Sequence, residues 1–334
     1  MLNLLRILTR NLIIVIPSSM AAGLLFGVVS DPRPLKIFIP AFTFLMVFPM
    51  MVTLQYKKAF TKCSWLTQGM AQFTNFVIIP LIGFGLGRVF FPDRPFLALG
   101  LLLAALIPTS GMTVAWTGFA KGNVEEAVKI MIFGLTTGSV LAPFYIRFLL
   151  GARVDVDVVM VLRKVFLIVL LPMAVGFVTR QVLLRHYGQK KFSEKVGPAF
   201  PPLATLGVIS MVFTAIALKA QVIVDRPLLL LELLIPVLLF YIVTMFIVVT
   251  AGRLFLPRAD AIALIYGTSL RNLSISLAIA VNAFGKAGTD AALVLAAAFI
   301  VQTQVATWSA KYADRLFRNS MDIRSQEHGS SREP

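Results

Sequence analysis

The chain has 334 residues, of which 58% are hydrophobic and only 14% charged, and its formal net charge is +16. Apolar runs of about twenty residues recur from end to end, which excludes a soluble globular domain and points to a polytopic all-α membrane protein. The positive charge does not indicate nucleic acid, because no nucleic-acid module accompanies it and the basic residues lie between apolar spans, where membrane topology places them.

The first run, 11–30, follows Arg6 and Arg10 and is interrupted by Pro17, so it reads as a span and not as a cleaved leader. Runs 35–55 and 73–91 flank the basic loop "KKAFTKCSW", whose Cys63 is the only cysteine; no intrachain disulfide or multi-thiolate metal site can form. Runs 95–119, 125–148, 158–184, 200–219, 228–251, 260–283 and 289–311 complete ten crossings, and the polar stretch 318–334 reads as a disordered tail. With the N-terminus inside, cytoplasmic segments carry eighteen Lys and Arg and the opposite side eleven, which orients both termini to the cytoplasm. The expected setting is the plasma membrane of a bacterium or archaeon.

Dividing the chain near residue 150 leaves five spans in each half, and the fourth of each carries the same disturbance. Span four reads "LLAALIPTSGMTVAWTGFAKG" and span nine "LIYGTSLRNLSISLAIAVNAFGKAG". Each has a small or hydroxyl-rich interruption, at Pro108 to Gly111 and at Gly267 to Ser269, and each closes on Phe-x-Lys with Gly close behind. Because five is odd, residues 1–150 and 151–317 would form inverted-topology repeats with broken helices four and nine. Paired interruptions in corresponding helices point to a transporter's binding site, since freed backbone groups need a polar cavity.

Arg271 lies too deep in span nine to reach the interface, and facing lipid there would cost at least ~2.5 kcal/mol. It must face the interior. There it could hold a carboxylate or oxyanion in its planar fork, stand as a fixed charge where a related protein holds a cation, or bond a carbonyl freed by the break. Thr268, Ser269 and Asn272 beside it, and Thr109, Ser110 and Thr113 in span four, could orient a small polar solute; Gln302 and Gln304 in "QTQ" of span ten extend the set. Thr136, Thr137 and Ser139 in "GLTTGSVLAP", with Ser274, offer neutral oxygens for a coupling cation. Lys129, Glu126 and Glu232 sit near span ends and are expected to snorkel.

No catalytic residues emerge: His186 and His328 are isolated, with no nucleophile and base pair, metal-spaced cluster or nucleotide-binding motif. The expected ligand is therefore a small solute, with Na⁺ or H⁺ as the only coupling species, no other cofactor and no nucleic-acid partner; oligomeric state is open.

The stretches "IPTSGMTVAWTGFAKGN", "GLTTGSVLAPF" and "GTSLRNLSISLAIAVNAFG" resemble the bile acid/sodium symporter superfamily, which also includes arsenite efflux permeases. That resemblance implies two five-helix inverted repeats and alternating access between a panel and a core domain. Sodium-coupled members carry an acidic residue and then Gln-Asn in helix nine; here Gly267 takes the acidic position and Arg271 with Asn272 replaces Gln-Asn. Their Ser-Asn pair in helix four is Thr113 and Val114 here, so the sodium ligands are depleted. The patterns "RNLSISLAIA" and "AAFIVQTQVATW" are closer to the arsenical-resistance branch, although the helix-four cysteine of the arsenite permeases is absent. The reading is secondary transport of a small anion, an organic carboxylate or oxyanion. Metalloid efflux and a non-transporting receptor or scaffold are the alternatives.

Overall fold

The computed structural model describes residues 11–54, 64–110, 112–151, 157–225 and 228–316. The basic loop with Cys63, Gly111 and the tail 318–334 lie outside them. Helices build the described chain: α1 Leu12–Val29; α2 Ile39–Thr53; α3 Trp65–Phe90; α4 Pro95–Leu106; α5 Met112–Phe119; α6 Val124–Leu150; α7 Val158–Val165; α8 Leu171–Lys191; α9 Phe200–Ala217; the short α10 Ala220–Asp225; α11 Leu229–Phe255; α12 Arg258–Ser269; and α13 Leu273–Leu316. Among the described residues six helical stretches are long and apolar enough to cross a membrane, and residues 14–29, 95–106 and 273–285 form shorter apolar helices. The protein is an integral membrane protein.

Local chemistry sets where helices start. Ser64, Asn123 and Asp157 each accept a backbone N–H from three residues ahead, satisfying a donor that the first turn cannot pair internally. Glu125 and Glu126 at the start of α6, and Arg147 near its end, match the helix dipole. The third apolar helix starts at Trp65, not 73, because the cap at Ser64 lets "WLTQGMAQ" join it. The sixth span continues past 184 as far as Tyr187, its polar end extending the helix beyond the apolar run, before the chain kinks at Gly188 with φ 74°.

Helices α1, α2, α8 and α9 pack on one another, while α3 to α6 and α11 to α13 form a second group. α13 kinks at Gly285, whose φ of 54° is the left-handed conformation glycine takes without strain. Its two arms run back antiparallel, since Gln302 in the second arm bonds the peptide of Arg271 just ahead of the first. The corresponding point in the other broken helix is Lys121, also at positive φ, just after Phe119. Thus each Phe-x-Lys stretch contains one positive-φ residue, Lys121 at the end of the first and Gly285 in the middle of the second. Polar contacts between the groups include Asn282 Nδ2 to Thr43 Oγ1 at 3.1 Å, Asn272 Nδ2 to Met50 Sδ at 3.8 Å and, just past the end of α9, Lys219 Nζ to Asp290 of α13 at 2.7 Å.

Candidate functional site

Both interrupted helices are broken, and the breaks meet. The first lies between α4 and α5, from Ile107 onward. The second lies between α12 and α13 at Leu270, Arg271 and Asn272, not at Gly267 to Ser269 as the small residues suggest. Gly267 stays helical, and glycine is needed there for close packing: a Cβ would sit 2.6 Å from Ile130 Cγ2 of α6. Pro108 and Arg271 pair as an isolated antiparallel bridge, so the two unwound segments cross as extended backbone.

An α-helix leaves its last four carbonyls without intrahelical donors, and burying them unpaired is costly. Here α4 finds its donors at the second break, while α12 finds one donor at the first break and the others in Arg271 of its own break and Asn75 of α3. From α4, Leu103 O accepts Ser276 Oγ at 2.8 Å, Ala104 O accepts Arg271 Nε at 3.1 Å, Ala105 O accepts Arg271 Nη2, and Ile107 O accepts the amide of Asn272 at 2.9 Å. From α12, Tyr266 O accepts Thr113 Oγ1 at 3.1 Å, Gly267 O accepts Asn75 Nδ2 at 3.2 Å, and Thr268 O accepts Arg271 Nη1 at 2.9 Å. Arg271 Nη1 also donates to Asn75 Oδ1 at 2.6 Å. Gln302 clasps the Arg271 peptide from both sides, its Oε1 taking the amide at 2.7 Å and its Nε2 giving to the carbonyl at 3.1 Å; Tyr241 donates to the same Oε1 at 2.9 Å.

Arg271 is 0% exposed, with its guanidinium aimed at protein oxygens. No carboxylate pairs with it among the described residues. Thr109, Ser110, Thr113, Thr268, Ser269, Asn272 and Gln302 are all buried around the crossing. Thr109 is held at φ 61°, a strained conformation for a β-branched residue, with Oγ1 within 3.3 Å of Met131 O. The candidate cation oxygens fall elsewhere. Thr136 and Ser139 donate to carbonyls one turn back, Thr137 is exposed and Ser274 is half-buried. Gln304 lines a separate, mostly apolar cleft of about 660 Å³ with Tyr241, Trp308 and Ser309.

The first break leans on α6, where Gly138 approaches so closely that a Cβ would be 2.5 Å from Pro108 Cδ and 3.0 Å from Leu106 O. Gly138→Val is expected to lose about 1–3 kcal/mol by overpacking, measured as a lower melting midpoint in detergent, whereas Gly85→Val, at an open position, is expected to leave it unchanged.

Composition alone did not single out Asn75, Tyr241 or Asn282. Asn75 has a readable signal: Gln68, Gln72 and Asn75 recur at i, i+4 and i+7 along one face of an apolar helix. A π-turn over Thr74–Ile78 spans Asn75, and Tyr145 Oη donates to Phe76 O within it. The same face carries Gln68 to the expected snorkelling pair, which is in fact buried. Lys129, 0% exposed, lies 3.0 Å from Glu126, itself 4% exposed, and Glu126 also accepts from Ser64 N at 3.0 Å and Gln68 Nε2 at 2.6 Å. Neighbouring Asp260 accepts from Thr67 Oγ1 and Asn123 Nδ2, tying α12 to α3 and to the cap of α6. Glu232, by contrast, is half-exposed and paired to Arg94 at 2.6 Å, as expected near a span end.

Among known proteins the chain is similar to the arsenical-resistance protein Acr3 of Corynebacterium glutamicum, 23% identical over 67% of this chain and 63% of that protein. It is also similar to the probable chloroplastic sodium/metabolite cotransporter BASS2 of Oryza sativa subsp. japonica, 29% identical over 42% of this chain and 32% of the relative. An uncharacterized transporter of Synechocystis, slr0944, is 25% identical over 62% of this chain and 54% of its own length. The matches thus span less than two thirds of these relatives' lengths. Residues 40–226, more than half of the chain, match the profile of the Sodium Bile acid symporter family, and on that match the chain belongs to this family of membrane transporters.

Proposed function

We propose that the chain is a secondary active transporter that carries a small anionic solute, an organic carboxylate or an oxyanion, by alternating access at the crossing of its two broken helices. In this reading ten crossings form two five-helix inverted repeats, residues 1–150 and 151–317, with both termini cytoplasmic, and the α1, α2, α8 and α9 group moves against the other. The observation that carries it is the hydrogen bonding of the two breaks to each other around one buried Arg271 that no carboxylate pairs among the described residues. A positive charge fixed in a low-dielectric interior attracts an anion without touching it. Because four of the five guanidinium N–H donors are committed to protein oxygens, most direct contacts with the solute fall to Asn272, Ser269, Ser110 and their neighbours. Ser269 Oγ and the amide of Gln72 are buried without a partner among the described residues, groups that a polar solute would satisfy.

The test is counterflow of labelled small carboxylates and oxyanions into proteoliposomes. The wild type is expected to exchange at least one of them, and Asn272→Ala to lose that exchange by tenfold or more. Absence of flux for every anion would defeat the reading. A second reading, metalloid efflux driven by proton exchange, is supported by the similarity to the arsenical-resistance protein. It predicts that cells expressing the chain outgrow empty-vector cells on arsenite.

A further inference from the structure

The oxygens around the Arg271 guanidinium make a cage of a particular kind. Three are main-chain carbonyls, of Ala104, Ala105 and Thr268, and the fourth is the amide oxygen Oδ1 of Asn75. All are neutral, all are buried, and the three carbonyls belong to the C-terminal turns of α4 and α12. Two helix C-termini therefore aim the negative ends of their dipoles at one point. An all-oxygen shell of carbonyls and an amide is the donor set that a hard monovalent cation takes when it sheds water. Neutral oxygens at two C-termini would repel one another without a positive charge between them.

We infer that this cage is a monovalent-cation site and that Arg271 fills it as a tethered cation, so that sodium does not bind there. For its functional consequence this inference rests on the crossing being the solute site: the chain carries its own charge at the position and needs no sodium there to assemble the crossing. The donor geometry supports substitution and not coexistence. The guanidinium bonds each of the four oxygens directly, and a second cation would have to share them against its charge. The residues present do not fit a sodium ion alongside Arg271.

The experiment measures melting midpoints of detergent-purified protein in sodium chloride, choline chloride and choline chloride with millimolar methylguanidinium, at equal ionic strength. The wild type is expected to melt at the same temperature in all three. Arg271→Ala, with the cage emptied, is expected to gain about 3 °C or more from sodium or methylguanidinium over choline. Stabilisation of the wild type by sodium over choline overturns the inference, as does an Arg271→Ala protein indifferent to all three media. Should Arg271→Ala not fold, Arg271→Lys, which keeps a cation in the cage, is compared with Arg271→Gln in choline. The lysine variant is expected to melt several degrees higher, and equal midpoints contradict a cation site. No solute enters these measurements, so their failure is separate from a failure of the transport assay.

Discussion

Arg271→Ala is expected to abolish solute exchange and to lower stability by about 3–5 kcal/mol. Four buried oxygens lose their donor, and each unsatisfied polar group costs about 1–3 kcal/mol, an amount partly recovered as water enters the vacated space. The unwound segments would also lose one of their cross-links, since the same side chain bonds the last turns of both α4 and α12. Arg271→Lys should fall between, because an ammonium keeps the charge in the cage but has three donors where the guanidinium places four hydrogen bonds. Melting midpoints and proteoliposome exchange on the same preparations check both effects. A stable, active Arg271→Ala would show that the crossing holds without its cation.

The second large effect concerns Lys129. Removing one member of a buried ion pair strands the other charge, at a cost of about 3–5 kcal/mol, whereas replacing both by neutral side chains of similar size is often neutral. Lys129→Met is therefore expected to lower the midpoint strongly, and Glu126→Gln combined with Lys129→Met to restore most of it. The pair sits where Ser64 and Gln68 of α3 meet the first turn of α6, so the single change also loosens the start of α3. A double-mutant cycle by thermal melting reads the coupling, and additive losses would mean that the two charges act independently.

Much of the architecture was legible because hydrophobic runs report helix length directly, and Pro108, which lacks an amide donor, marks the first break. The second break was displaced by three residues. Gly267, Thr268 and Ser269 have modest helix propensity, but Asn75 pairs the carbonyl of Gly267 and Ile130 fits against its missing side chain, so tertiary contacts keep them helical. The chain opens instead at Arg271, whose own peptide is held by Gln302, thirty-one residues away. Lys129 was misread for a related reason. A lysine in the second turn of a span is usually at the interface, and only the distant Ser64 and Gln68 reveal that this end is covered. Arg271 itself was readable as an interior charge; what it touches was not, because three of its partners are main-chain oxygens, which leave no signature in residue types.

The built-in charge also sets an expectation for coupling. A second monovalent cation about 4 Å from the guanidinium would be repelled by about 4 kcal/mol at an effective dielectric of about 20, enough to weaken binding about a thousandfold. The most direct test of the account is the rate of solute exchange in wild-type and Arg271→Ala proteoliposomes, each measured in sodium and in choline media. Equal wild-type rates in the two media and no exchange by the folded variant in either are expected; exchange that requires sodium and survives in Arg271→Ala would rule out a fixed charge acting at the crossing.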